Sequence, residues 1–353
     1  MLTKVRYSPK DILLWTRWET GFLLLYMGGV TALYEVFDLR FLHVPWAPVA
    51  VLGTAVAFIV GFQNNAAYGR IWEARKIWGG IVNVSRTWGM QTLDMVDGRN
   101  AESPVSEEEL QQHREILIHR HVAWLTALRH AMRQPRKWEG FRSHRTNREW
   151  TDKMHIPERL SNLEEDLAGL LPEGECGEVL ARTNRAAGIL NMQSRHLARL
   201  AARGIVWKFA FLRLEDLLKQ MFELQGASER IKNFPYPRQY ATLSFQFVRM
   251  FVVALPFAAV PEFSRIGREM AESTPQVAPW FIWAAVPFLA MISWVFLTME
   301  RIGRVGENPF EGTANDVPIS TMSRGIEIDL RQMLAEEPGS IPEQYPEAHN
   351  VQM

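Results

Sequence analysis

The sequence predicts an all-α membrane protein with four transmembrane helices and, between the second and the third, a cytosolic helical domain. Three observations carry that prediction. Residues 44–69 and 273–299 contain no charged side chain, and each stretch exceeds the ~20 residues that a helix needs to cross a bilayer. The region between them, about residues 70–235, is highly charged, with apolar residues recurring at helical spacing. Sustained period-two alternation, the mark of strands, is found nowhere.

Composition agrees and narrows the function classes. Lys plus Arg number 39 and Asp plus Glu 39, so no basic excess points to nucleic acid. The 47% hydrophobic content and 13 Trp average over charge-free and highly charged stretches. With Cys176 as its single cysteine, the chain can form neither an internal disulfide nor a thiolate metal site.

The elements follow in order. Residues 1–19 read as a cytosolic N-terminal segment; Lys4, Arg6, Lys10, Asp11, Arg17 and Glu19 precede the first apolar run, which does not fit a cleaved signal peptide. Residues 20–69 hold the first two spans. The first, 20–34, is charge-free for only fifteen residues, so it is expected to kink or to sit partly in protein. The apolar part of the second ends at Phe62. Residues 70–236 form the cytosolic domain, with helical patterns over 107–132, 158–171, 178–202 and 205–225. Residues 237–303 hold the last two spans: 239–261, interrupted by Arg249, and 273–299, which contains Pro279 and Pro287. Residues 304–353 form a C-terminal segment whose end, beyond Glu336 with Pro338, Pro342 and Pro346, is expected to be disordered or loosely draped.

Basic residues set the orientation. Lys4, Arg6, Lys10, Arg17, Arg70, Arg75, Lys76, Arg86, Arg230, Lys232, Arg238, Arg301 and Arg304 flank the spans on one side, against Arg40, Arg265 and Arg268 on the other. The positive-inside rule puts both termini and the central domain in the cytoplasm of a multi-pass inner-membrane protein.

No catalytic or metal-binding constellation assembles. His113, His119, His121 and His130 are not spaced to put two ligands on one helical turn, and read as solvated helix positions. The acidic runs 107–109 and 164–166 fall at helix starts, where the macrodipole favours carboxylates. Gly28-Gly29 and Gly79-Gly80 lack the spacing of phosphate loops. An enzyme is therefore not expected.

The second span carries the sharpest pattern. Thr54, Phe58 and Phe62 recur every four residues on one helical face, while Gly53, Ala55, Ala57 and Gly61 leave other faces small enough for close helix contact. On the residues alone, a buried membrane core helix is the commoner source of such a stripe; a pore-lining helix is the other. Gln63, Asn64 and Asn65 follow, side chains that suit water or a neighbouring helix better than lipid.

The string GFQNNAAYGRIWEARKIWGGIVNVSR, residues 61–86, resembles the signature of bacterial bestrophin homologues, GFRNNxxYxRWWEARxxWG. The resemblance continues in GASERIKNFPYP (226–237), LPF (255–257), ENPFEGTANDVPI (307–319) and IEIDL (326–330). Gln63 stands where Arg is usual, and Ile71 where Trp is usual. The resemblance implies a homopentamer around one central pore, with Thr54, Phe58 and Phe62 forming a hydrophobic neck and Gln63, Asn64 and Asn65 next to it. It also implies a second, cytosolic constriction, for which Ile205 is the candidate. The partners implied are permeant monovalent ions, the lipid bilayer and further copies of the chain.

Animal members of the family bind calcium through an acidic cluster after the NPF motif. Most of that carboxylate density is missing here, so neither calcium nor any other cofactor is expected, although Glu311 and Asp316 leave a weak cation site open. Phe58 and Phe62 lean toward chloride and other monovalent anions, because aromatic edges carry partial positive charge. A sodium or potassium channel of the same fold is the alternative, and a non-conducting sensor or scaffold the second alternative. Arg249 is expected to pair with Glu19 or Glu35 at the membrane edge, or to snorkel.

Overall fold

The computed structural model describes residues 1–4, 6–140, 144–172 and 174–353. Among them the chain is helical, its β content confined to isolated bridges that join Leu2 and Ala348 to Val351. Helix α1 (Pro9–Glu35) opens with a capping box: Ser8 accepts from the Asp11 amide and the Asp11 carboxylate accepts from the Ser8 amide. Helix α2 (Trp46–Met95) runs unbroken for 50 residues. At 1.5 Å per residue that is ~75 Å, more than twice a ~30 Å hydrocarbon core. The boundary expected at residue 69 falls inside one continuous helix.

In the charged region the lower half of α2 packs against α3 (Glu107–Arg133); of four short helices, α5 (Pro157–Leu160) and α6 (Leu163–Ala168) also pack on α3, α7 (Glu175–Leu180) packs on α6, and α4 (Arg145–Thr151) packs on α1. Helices α8 (Arg185–Ala202) and α9 (Lys208–Asn233) complete the bulk of this region. The core holds Trp78, Trp88, Trp124, Leu117, Ile189 and Leu214, all buried. The long pattern expected over 158–171 breaks into α5 and α6, because Asn162 caps a new helix; that over 178–202 breaks likewise at Asn184, which caps α8. Both acidic runs do fall at helix starts, behind Ser106 and Asn162.

The α3 histidines do not form a solvated face: His121 and His130 are buried, and His113 and His119 are half-buried. Helix α3 packs against α2, α8 and α12 (Ile319–Met333), which leaves it no fully wet face. His121 is fully buried, its Nε2 2.9 Å from the Ser85 hydroxyl, and desolvation pushes its imidazole down to about 3. His130 meets Asp166 at 2.7 Å and His119 meets Glu336 at 2.6 Å. Buried ion pairs bind the small helices in: Arg129 contacts Glu158 (2.6 Å) and Asp166 (3.1 Å), and Ser320 of α12 donates to Glu158 (2.7 Å).

Helix α10 (Arg238–Glu269) contains Pro256 and Pro261, and a 3-10 segment (Ala278–Ala284) leads into α11 (Ala285–Gly306). Three helical stretches are long and apolar enough to cross a membrane: Trp46–Met95, Arg238–Glu269 and Ala278–Gly306. Helix α1 does not reach that mark among the described residues, since Lys10, Asp11, Arg17 and Glu19 take up its first half; its Leu23 and Met27 are nevertheless buried in the same cluster as Val56, Val248, Leu255 and Leu289. Helices α2 and α10 come close at Gly53, where a Cβ would lie 2.6 Å from Phe251 Cε2.

The chain's end is not disordered. Thr321 of α12 donates its amide to the Met353 carbonyl (2.6 Å), and Val351 and Met353 are buried beside Ile156. Backbone pairing with the first residues and two apolar anchors outweigh the proline-rich composition that suggested otherwise.

Candidate functional site

Helix α2 has two unlike faces. Gly53, Val56, Val60, Gln63 and Ala67 are buried against the other membrane helices. On the opposite face lie Thr54, Phe58 (65% exposed) and Phe62 (72% exposed). The expected stripe is therefore the outward face of the subunit, where it is free to line a path or meet another copy. The Thr54 hydroxyl donates to the Ala50 carbonyl at 3.0 Å, so its proton is used within its own helix.

The three polar residues after Phe62 do not act together, because successive helical residues turn by about 100°. Asn65 alone continues the exposed stripe. Gln63 is 3% exposed: its amide donates to Glu307 (3.2 Å) and its carbonyl accepts from the Ser244 hydroxyl (2.5 Å). Asn64 donates to the carbonyls of Val60 (2.9 Å) and Met299 (3.0 Å). Both belong to the joint between α2, α10 and α11. Arg70 completes that joint, donating to the carbonyls of Glu307 (2.7 Å), Ile231 (2.9 Å) and Phe234 (2.9 Å), and Trp78 packs on Phe310 with ring centroids 6.4 Å apart. Much of the signature string is thus a packing knot that ties 61–78 to 307–310.

Ile205 cannot line a path. It is 0% exposed and its carbonyl accepts from the Gly98 amide (3.0 Å). The preceding Gly204, at φ +71, turns the chain inward so close to Asn100 that a Cβ would sit 2.1 Å from its carbonyl oxygen. The exposed apolar group at this corner is Trp207, Phe209 (63% exposed) and Leu212, with the first two rings 5.1 Å apart. Sequence reading missed them because the helix was expected to begin at 205 rather than at Lys208.

Arg249 does not meet Glu19 or Glu35. It is exposed and lies over the Phe245 ring (5.1 Å), which Arg304 also approaches (4.8 Å). Glu19 instead binds Arg301 (2.9 Å) and His144, and Arg301 stacks on Trp15 (4.0 Å), fastening α1 to α11.

Glu311 and Asp316 share one loop. Asp316 accepts from the Gly312 amide (2.7 Å) and the Thr313 hydroxyl, with the Arg133 guanidinium 3.8 Å away; burial pushes its carboxyl up. Glu311 accepts from Asn308. With a guanidinium already at Asp316 and its oxygens facing internal donors, the loop does not fit a divalent cation, which wants several free oxygens. No group of three or more His, Cys, Asp or Glu side chains converges among the described residues.

Comparison with known proteins agrees with this architecture. The chain is 28% identical over 303 residues to the voltage-dependent anion channel-forming protein of Ralstonia nicotianae, covering 83% of this chain and 82% of that one. It is 27% identical over 289 residues to YneE of Escherichia coli K12, which bears the same description, covering 81% and 76%. Its fold resembles the crystal structure of a bacterial bestrophin homolog from Klebsiella pneumoniae, at TM-score 0.70 and 23% identity over 91% of this chain and 99% of that one. The family model described as bacterial/fungal bestrophin protein matches residues 12–332, and the chain is a membrane protein of the bestrophin family.

Proposed function

We propose that the protein is a passive anion channel: a homopentamer in which the exposed faces of five α2 helices line one pore. The observation that carries this reading is the outward stripe of Thr54, Phe58 and Phe62 on the longest apolar helix, facing away from the subunit's own core. Rings of Phe at a narrow point keep water out when closed and gate by dewetting. Their edges offer partial positive charge to a dehydrating anion, which favours chloride and similar monovalent ions. The relatives' description as anion channel-forming proteins supports the same choice.

In this reading α1 is a fourth span, completed by its packing on α10 and α11, and both termini lie in the cytoplasm of the cell membrane. The second constriction moves from Ile205 to the exposed Phe209, in the first turn of α9, with Trp207 and Leu212 beside it. Calcium plays no part, since Asp316 is engaged by Arg133 and internal donors. No catalytic step is assigned.

The test is purified protein in a planar bilayer under a KCl gradient. A reversal potential near the chloride equilibrium value supports the proposal. One near the potassium value favours the monovalent-cation alternative, and no current from verified pentamers overturns conduction.

A further inference from the structure

We infer that Lys76 forms a charge-selecting ring inside the conduction path, below the neck. The inference rests on the pore assignment of α2 and adds a specificity residue to it. Phe58 and Lys76 are eighteen residues apart on one unbroken helix. Eighteen residues make five turns at 3.6 per turn, so Lys76 lies on the same face as Phe58, ~27 Å further along. Between them the exposed stripe runs through Phe62, Asn65, Gly69 and Trp72.

Lys76 is exposed and has no ion-pair partner among the described residues. Two of the charges around it are paired. Glu73 binds Arg230 (2.7 Å), and Arg86 binds Asp329 (2.8 Å). Arg75 is turned about 100° away from Lys76 and contacts the Met1 sulfur (3.1 Å). On α9, the groove facing lower α2 carries Arg213 and Lys219 beside Asp216 and Glu223, two charges of each sign. Asp94 falls on the same face, but a further five turns on; ~27 Å exceeds three Debye lengths of ~8 Å at physiological salt, so it does not cancel the ring.

Five ammonium groups around one axis raise the local concentration of anions and repel cations at the cytosolic approach to the neck. The ring adds charge selection ahead of the Phe rings, which gate and favour the anions that reach them.

The experiment measures the chloride-to-sodium permeability ratio of wild-type, Lys76→Glu, Lys76→Gln and Lys76→Arg pentamers in planar bilayers under an NaCl gradient. Lys76→Glu is expected to lower the ratio at least about threefold, more at low salt. Lys76→Gln should fall between, and Lys76→Arg should keep the wild-type ratio. An unchanged ratio in Lys76→Glu from a conducting wild type overturns the ring and leaves the channel standing. A cation-selective wild type in which Lys76→Glu still lowers the ratio overturns the anion assignment and supports the ring. Assembled wild-type protein without current overturns conduction, and the ring with it.

Discussion

The upper and lower halves of α2 are one helix built by opposite rules. In the membrane half, the packed face is made of small residues, Gly53, Val56 and Val60, and the large side chains Phe58 and Phe62 point outward. In the lower half the large side chains Trp78, Ile81 and Trp88 are packed inside, and the outward face carries Lys76, Asn83 and Thr87. The difference follows from the surroundings. Lipid gives no hydrophobic drive between helices, so the membrane half gains by close backbone approach. Water does give that drive, so the charged lower half gains by burying large apolar area.

If that contrast is right, large-to-small changes should hurt the lower half most. Trp88 is fully buried against His121, with ring centroids 6.0 Å apart, and Trp88→Ala is expected to remove about 3–5 kcal/mol from the domain around lower α2. Thermal unfolding of solubilised protein, followed by tryptophan fluorescence, reads this as a large drop in Tm. The upper half should be sensitive to the reverse change. Gly53→Val places a Cβ 2.6 Å from Phe251 Cε2, and the overpacking is expected to cost about 1–3 kcal/mol. Heat-induced loss of assembled protein on size exclusion would register it, and a Gly53→Val protein as stable as wild type would show that the helices do not meet there.

Acid should separate the halves more gently. Burial holds His121, and His196 too, down to about 3, far below the ordinary 6.5. The unfolded chain therefore binds more protons than the folded one between those values, and stability falls as pH drops from 6.5 toward 3. The domain around lower α2 should soften over that window. His121→Phe should flatten part of the slope in a pH series of Tm values.

Much of this was legible in the sequence. The Thr54, Phe58 and Phe62 stripe came from spacing alone, because a single helical period survives any tertiary context. Its outward direction did not, since buried and exposed apolar faces look alike in a membrane span. Gln63 and Asn64 read as facing water or a neighbouring helix, and the choice was not legible because their partners, Ser244, Met299 and Glu307, lie well over a hundred residues away. Ile205 was misplaced because a helix start set by Gly204 and Trp207 lies three residues beyond where hydropathy puts it. Arg249 was expected to seek a carboxylate and meets an aromatic ring instead, a contact that depends on the arrangement of α10 and α11.

The central claim is that the outward face of upper α2 lines the pore, and single-channel conductance of Phe58→Ala tests it most directly. Removing the Phe58 rings from a hydrophobic constriction should raise conductance or open probability about twofold or more. Currents indistinguishable from wild type, from protein that assembles normally, would take Phe58 out of the pore and the stripe with it.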